Sequence, residues 1–333
     1  MLKKHSKIVV GLVISAIFMY LALRKVDYDQ MMQAFQKADY WMILPGLALL
    51  FFSHWLRSVR WRILLNPVSP LPIPTLYSAL LIGYMANTFL PAHLGEFLRA
   101  YVVGKKHEVS GSSVFGTIVM ERIIDVITLF LLLAITMIVF PFPAWVEKSG
   151  YISLLGVLIL FFLLLGLKTQ RQRTTKVINR VMGFVPEKWR DKFFKAMESF
   201  LSGITPLKHK RDYLIVTVLS VIIWACYGFI FQIFFYAFDF VANYDLPWIA
   251  AWVLLVITTF AILVPSSPGY VGTYHYLCAL GLGLFGVPNS PALSFAFVMH
   301  GINFIPILLV GLVLFSIEGL DLKKAQKKNI SDF

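Results

Sequence analysis

Long apolar runs separated by short polar stretches dominate the chain. The runs cover residues 8–23, 41–56, 126–140 (reaching back to 113 with a few polar positions), 151–167, 213–237, 247–264 and 291–317. Several approach or exceed the roughly 18 residues that carry a helix across a bilayer. A membrane barrel would instead show short segments of alternating polarity. The pattern predicts an all-α, polytopic helical membrane protein built as a single integral membrane domain over residues 1–333.

Two apolar stretches are interrupted. Residues 74–90 run into "NTFLPAHLGEFLRA" (87–100), and 247–264 run into "PSSPGYVGTYH" (265–275); short segments, 94–103 and 275–286, then resume. Each half of the chain therefore reads as two spans, a stretch broken by Pro and Gly, a short segment and a long span. The first half begins on one side of the membrane and the second on the other. This order predicts two inverted-topology repeats, about 8–140 and about 151–317, each with a broken re-entrant-type helix pair. Pro/Gly breaks at corresponding places in two such halves point to a transporter's binding site.

Composition agrees with the pattern. Of 333 residues 59% are hydrophobic and 14% charged, where a soluble domain carries about 25% charged residues. The net charge of +13 raises nucleic acid as a partner, and its placement argues against one. Lys3, Lys4 and Lys7 precede the first span, Arg57, Arg60 and Arg62 follow the second, and Lys323, Lys324, Lys327 and Lys328 close the chain. Segment 168–212 holds twelve Lys and Arg against four Asp and Glu, while 24–40, 141–150 and 238–246 are neutral or acidic. That is the positive-inside pattern, and it predicts a multi-pass protein of the cytoplasmic (inner) membrane with both termini in the cytoplasm. "MLKKHSK" and the first span lack a small-residue cleavage site and read as an uncleaved anchor. Cys226 and Cys278 both lie in apolar runs and form no framework or CxxC pair.

Segment 168–212 has a pattern of its own. Trp189, Phe193, Phe194, Met197, Phe200, Leu201 and Ile204 recur at helical spacing among Lys and Arg, and Val177, Ile178, Val181, Met182 and Val185 form a second stripe. A basic amphipathic helix of this kind lies in the headgroup layer of anionic lipid. The alternative is a cytoplasmic helical hairpin packed on the protein itself.

The polar residues inside apolar surroundings are the candidate site. Non-helical backbone at membrane depth survives only where protein or a water-filled cavity surrounds it. At the first break Asn87 and His93 precede a short helix whose N-terminus favours an anion, and Glu96 and Arg99 share one face of it. At the second break Ser266, Ser267, Gly269, Gly272 and His275 stop one helix and start another. Glu121, Arg122 and Asp125 lie on a single span, Glu121 about 12 Å into it at 1.5 Å per residue. Ionisable groups at such depth face a partner or a cavity, so these three serve either a substrate or an ion-pair lock between helices. His300 and Asn303 on the last span are read as polar glue between helices or as substrate contacts. No HExxH, Gly-x-Ser-x-Gly or P-loop pattern occurs, so neither a metal nor another cofactor is expected.

Four of these stretches, "SVRWRILL", "ANTFLPAHLGEFLRA", "SVFGTIVMERIIDV" and "PSSPGYVGTYHY", stand in the order and spacing of a known family. The chain resembles the lysylphosphatidylglycerol synthase transmembrane family, the flippase-like domain also found at the N-terminal end of the multiple peptide resistance factor, over roughly residues 8–317. Asn87, Pro91, Gly95, Glu96 and Arg99 match the family's first motif, and His93 replaces its usual Arg. Gly269-Tyr270 and His275 stand where the second motif often has Gly-Gly and a Glu. The resemblance implies lipid translocation without the soluble aminoacyl-transferase domain, and so no synthesis of lysyl-lipid.

The expected function is that of a flippase-like lipid translocase rather than an enzyme. It would move a phospholipid or another lipid-linked anionic headgroup, held by Arg99, Arg122 and the half-helix N-termini, with Glu96, Glu121 and Asp125 positioning the arginines. Membrane lipids are the expected partners; a second copy of the chain or a synthase is left open. Two other readings stand beside it. One is an intramembrane enzyme acting on a polyprenyl-phosphate or phospholipid with Glu96 or His93 as general base. The other is a lipid-binding partner of a synthase.

Overall fold

The computed structural model describes residues 2–24, 26–89, 94–169, 187–204, 207, 209–263 and 268–319. Those residues are helical with short connections, and no strand occurs among them. The helices are α1 (Leu2–Leu23), α2 (Tyr28–Lys37), α3 (Ile43–Leu65), α4 (Ile73–Phe89), α5 (Gly95–His107), α6 (Gly111–Val139), α7 (Ala144–Thr169), α8 (Glu187–Gly203), α9 (Lys210–Ala237), α10 (Phe240–Tyr244), α11 (Ile249–Leu263), α12 (Thr273–Gly283) and α13 (Asn289–Ile317). A 3₁₀ turn, Tyr40–Met42, leads into α3, and another, Pro268–Tyr270, precedes α12. Among the described residues, α3 with its leading turn, α6, α9 and α13 are long and apolar enough to cross a membrane.

Side chains explain where elements start. Asp27 accepts from the backbone N–H groups of Asp29 and Gln30 and so caps α2, Asp39 caps the turn before α3 through Trp41 N–H, and Ser110 caps α6 through Ser113 N–H. The chain turns from α5 to α6 through Glu108, which adopts a left-handed backbone with φ 55°.

Packing brings the two halves together. α3 lies along α9, α4 packs on α5 and α13, and α11 packs on α12 and α6. One apolar core, centred on Phe235, Phe238, Phe240 and Phe295, joins α9, α11, α12 and α13. A second, with Trp61, Leu65, Ile82, Leu98, Val103 and Ile118, joins α3, α4, α5 and the start of α6. Along α6 the first core contributes Leu129 and Leu133 and the second Val114 and Ile118. Glu121 and Asp125 fall between them.

α8 is not free for the lipid surface along its whole length. Its last turn presses on α6 where Gly116 and Gly203 meet, and a Cβ on Gly203 would run into the Ser113 carbonyl oxygen. Ser113 and Ser202 hydroxyls sit 3.1 Å apart, and Phe115 lies between the Phe97 and Phe200 rings. The face of α8 carrying Phe200 therefore packs on protein, as in the second of the two readings of this segment. Val177, Ile178, Val181, Met182 and Val185 lie outside the described residues.

Candidate functional site

α6 supplies the acids around which the site is built. Glu121 and Asp125 are one helical turn apart and point the same way, toward α3. There Arg57 and Arg60, also one turn apart, reach back. Arg57 Nη2 donates to Glu121 Oε1 at 2.7 Å and Asp125 Oδ2 at 2.6 Å, and its Nη1 donates to the Tyr227 hydroxyl on α9 at 3.1 Å. Arg60 donates to Asp125 Oδ1 at 2.5 Å and to the Ser220 hydroxyl of α9 at 2.8 Å. The planar, forked guanidinium suits this work, because one side chain can bind groups on two neighbouring helices at once. The pairs tie α3, α6 and α9 into one unit.

α5 adds a second layer. Arg99 is 1% exposed, donates to Glu121 Oε2 at 2.8 Å and lies over the Trp61 ring at 3.5 Å from its centroid. Trp61 is fixed in turn by its indole N–H on Thr117 Oγ1 at 3.0 Å. Glu96, at the start of α5, pairs with Arg122 Nη2 at 2.6 Å, while the Arg122 side chain keeps 40% of its surface exposed. The pairs that sequence proximity suggests are the long ones: Glu96–Arg99 is 3.9 Å and Arg122–Asp125 is 3.7 Å. Among the described residues four arginines thus face three carboxylates, an excess of one positive charge.

The first break holds its helices together from below. Asn87 Oδ1 accepts from Gly95 N–H at 2.8 Å, so one of the N–H groups at the start of α5 is already taken. A Cβ on Gly95 would collide with the Gly83 carbonyl, which is how α5 comes close enough to α4 to place Glu96 and Arg99. Pro91 and His93 lie outside the described residues.

The second break is organised by positive φ angles. Gly269 (φ 75°) and Gly272 (φ 89°) take them without cost, and Tyr270 takes one at φ 58° in the region that favours glycine. A residue held in such backbone costs of order 1–3 kcal/mol and is tolerated where the surroundings fix it. His300 Nε2 donates to the Gly269 carbonyl at 2.8 Å, and His275 Nδ1 accepts from Gly272 N–H at 3.3 Å. The two imidazole centroids are 4.8 Å apart. The α1 backbone at Ser15 crosses directly over Gly272, where a Cβ would not fit. Ser266 and Ser267 lie outside the described residues. The Asn303 amide donates to the Met299 carbonyl of its own helix at 2.8 Å.

The residues picked from sequence thus fall into two groups. Asn87, Glu96, Arg99, Glu121, Arg122 and Asp125 gather at the first break. Gly269, Gly272, His275 and His300 gather at the second. The turn Pro268–Tyr270 packs on α4, and Tyr270 stands within electrostatic range of Arg122 and Glu96. The sequence reading missed Arg57 and Arg60, assigning them to a cytoplasmic flank; they are buried, and only Arg62 of the three is exposed. Their i, i+3 spacing beside Trp61, matched by Glu121 and Asp125 at i, i+4 on another apolar helix, was the available signal.

The family described as the lysylphosphatidylglycerol synthase TM region matches residues 8–311. A UPF0104 membrane protein of Methanothermobacter thermautotrophicus is 24% identical over 91% of this chain and 92% of its own length. The UPF0104 membrane protein MJ1595 of Methanocaldococcus jannaschii is 19% identical over 98% of this chain and 99% of its own. The glycosyltransferase AglD of Haloferax volcanii is 25% identical over 127 residues, 38% of this chain and 20% of that protein.

Proposed function

The chain belongs to the family of the lysylphosphatidylglycerol synthase TM region, and from that premise we propose that it is a lipid translocase of the cytoplasmic membrane. Its cargo is a phospholipid or another lipid with an anionic headgroup. The observation that carries the reading is the excess positive charge of the buried cluster, together with the partial exposure of Arg122 alone among the four arginines. Glu96 neutralises Arg122, so the excess charge lies with Arg57, Arg60 and Arg99 against Glu121 and Asp125. Net charge in apolar surroundings is costly, and a phosphate that takes Arg122 frees Glu96 to offset it. Glu121, Asp125, Arg57, Arg60 and Arg99 pair with one another and act as the frame. The turn Pro268–Tyr270 brings the second break against α4. The acyl chains remain in the bilayer while the headgroup crosses between the breaks.

The packing supports the inverted repeat that such a mechanism uses. On that reading α3, α4–α5 and α6 would correspond to α9, α11–α12 and α13: the α4–α13 contact would have its counterpart in α11–α6, and α3 would meet its own counterpart, α9. Glu96, the acid suggested as a general base, is already held by Arg122 and faces Arg99, which supports transport over catalysis. The stretch shared with a glycosyltransferase favours one second reading, a membrane domain that presents a lipid substrate to a glycosyl-transfer enzyme.

The purified protein in proteoliposomes is expected to speed the passage of a fluorescent phosphatidylglycerol between leaflets, with the lipid unchanged by mass spectrometry. Chemical conversion of the lipid would replace this reading with the enzymatic one. Passage no faster than in protein-free vesicles would leave only a binding role.

Orientation follows from the charge asymmetry. A single cysteine at Lys192, in a background with the buried Cys226 and Cys278 replaced by Ala, is expected to react with maleimide only after the membrane is permeabilised. Labelling from the outside of intact cells would remove the cytoplasmic placement of 168–212 and with it the inverted topology.

A further inference from the structure

Among the described residues of the cluster Arg122 has the most exposed side chain of any arginine, and it is already occupied: its Nε and Nη2 are buried, and Nη2 lies against Glu96. Arg122 is 40% exposed, against 6% or less for the Arg57, Arg60 and Arg99 side chains. Its close counter-ion is Glu96 at 2.6 Å. Asp125 is farther, at 3.7 Å, and is anchored by Arg57 and Arg60 at 2.6 Å and 2.5 Å. A headgroup that binds Arg122 therefore competes with Glu96 and not with Asp125.

Glu96 has somewhere to go. Its Oε2 lies 3.9 Å from Arg99 Nη1, and that Nη1 is buried without a hydrogen-bond partner. Arg99 itself is fixed by Glu121 at 2.8 Å and by the Trp61 ring beneath it. Only the carboxylate has to move, by about 1 Å, to turn the long contact into an N–H···O bond of ordinary length. Glu96 follows Gly95 directly, and Gly95 is bound to Asn87 across the break. Glu96 therefore stands beside the joint between α4 and α5.

We propose that Glu96 is a displaceable counter-ion: an anionic headgroup takes Arg122, Glu96 passes to Arg99, and the return of Glu96 to Arg122 expels the headgroup. No bond is made or broken in this exchange, and charge is conserved throughout. The proposal rests on the reading of Arg122 as the headgroup contact. It adds that Glu96 sets release rather than binding.

The test measures retention and movement separately in the full-length protein, with phosphatidylglycerol as probe. Glu96→Gln removes the competing charge with little change in volume. It is expected to raise the phosphatidylglycerol retained in nanodiscs, read by native mass spectrometry, at least fivefold over wild type. The same variant is expected to slow passage between leaflets in proteoliposomes at least fivefold. Glu96→Asp, which keeps the charge but shortens its reach, is expected to shift both quantities in the same directions by less. Where Glu96→Gln does not fold, the Asp variant decides. Retention that falls or stays level in the folded variant overturns the proposal, because a purely structural acid has no means of tightening binding. Full passage by Arg122→Lys would instead remove the headgroup reading itself, so the two failures are separate.

Discussion

Glu121→Gln is expected to lower thermal stability more than any other single substitution in the cluster. Glu121 has no exposed surface and accepts from Arg57 at 2.7 Å and Arg99 at 2.8 Å, with Arg60 at 3.6 Å. Glutamine keeps the volume and one acceptor but removes the charge that neutralises these cations. Asp125 then remains for Arg57 and Arg60, and Arg99 is left with Glu96 at 3.9 Å. Breaking a buried pair from one side costs about 3–5 kcal/mol, most of it the penalty of the stranded partner. The measurement is thermal unfolding of the detergent-purified protein, followed by the loss of monodisperse material. Removing a stranded partner as well should restore part of the loss, so Glu121→Gln with Arg99→Gln is expected to melt above the sum of the single effects. A Glu121→Gln protein as stable as wild type would mean that the arginines find other counter-charges. The network could not then be the lock between α3, α5 and α6.

Much of this arrangement could be read from the chain, and the limits are physical. The expected segments 74–90, 113–140 and 291–317 correspond to helices at Ile73–Phe89, Gly111–Val139 and Asn289–Ile317. Long apolar runs define helices well because a bilayer leaves the backbone no other way to satisfy its hydrogen bonds. Partner choice was less legible. Spacing put Glu96 and Arg99 on one helical face and Glu121, Arg122 and Asp125 on one span, yet an i, i+3 contact on one helix is worth only about 0.2–0.5 kcal/mol. The side chains point toward neighbouring helices instead, so Glu96 goes to Arg122 and Arg99 to Glu121. Arg57 and Arg60 were counted as flank charges because the positive-inside rule weighs proximity to a span, whereas α3 continues past both to Leu65. The Gly116–Gly203 contact that docks α8 leaves no local trace, since it depends on two distant glycines meeting.

Lysine substitution separates the two arginines that flank Glu96. Arg122→Lys is expected to leave thermal stability near that of wild type. Its side chain is 40% exposed, and an ammonium can still neutralise Glu96. What it loses is the planar fork that holds a phosphate with two parallel hydrogen bonds. Passage of fluorescent phosphatidylglycerol in proteoliposomes is therefore expected to fall at least tenfold, which corresponds to about 1.4 kcal/mol of lost headgroup binding at the rate-limiting step. Arg99→Lys should behave in the opposite way. Arg99 is buried against Trp61 and Glu121, and an ammonium there forfeits the flat contact with the indole face. Burying its compact, strongly hydrated charge also costs more. Its unfolding temperature is expected to drop clearly, while passage per folded molecule changes less than in Arg122→Lys. The comparison is made at equal amounts of folded protein, checked by size-exclusion chromatography before reconstitution. If both variants move lipid at the wild-type rate, the arginines serve only as ion-pair partners, and the headgroup path must be sought at the second break around Gly269, His275 and His300. If Arg122→Lys is slow and stable while Arg99→Lys is unstable, the cluster divides as its geometry divides it: a buried frame, and one half-buried arginine that meets the lipid.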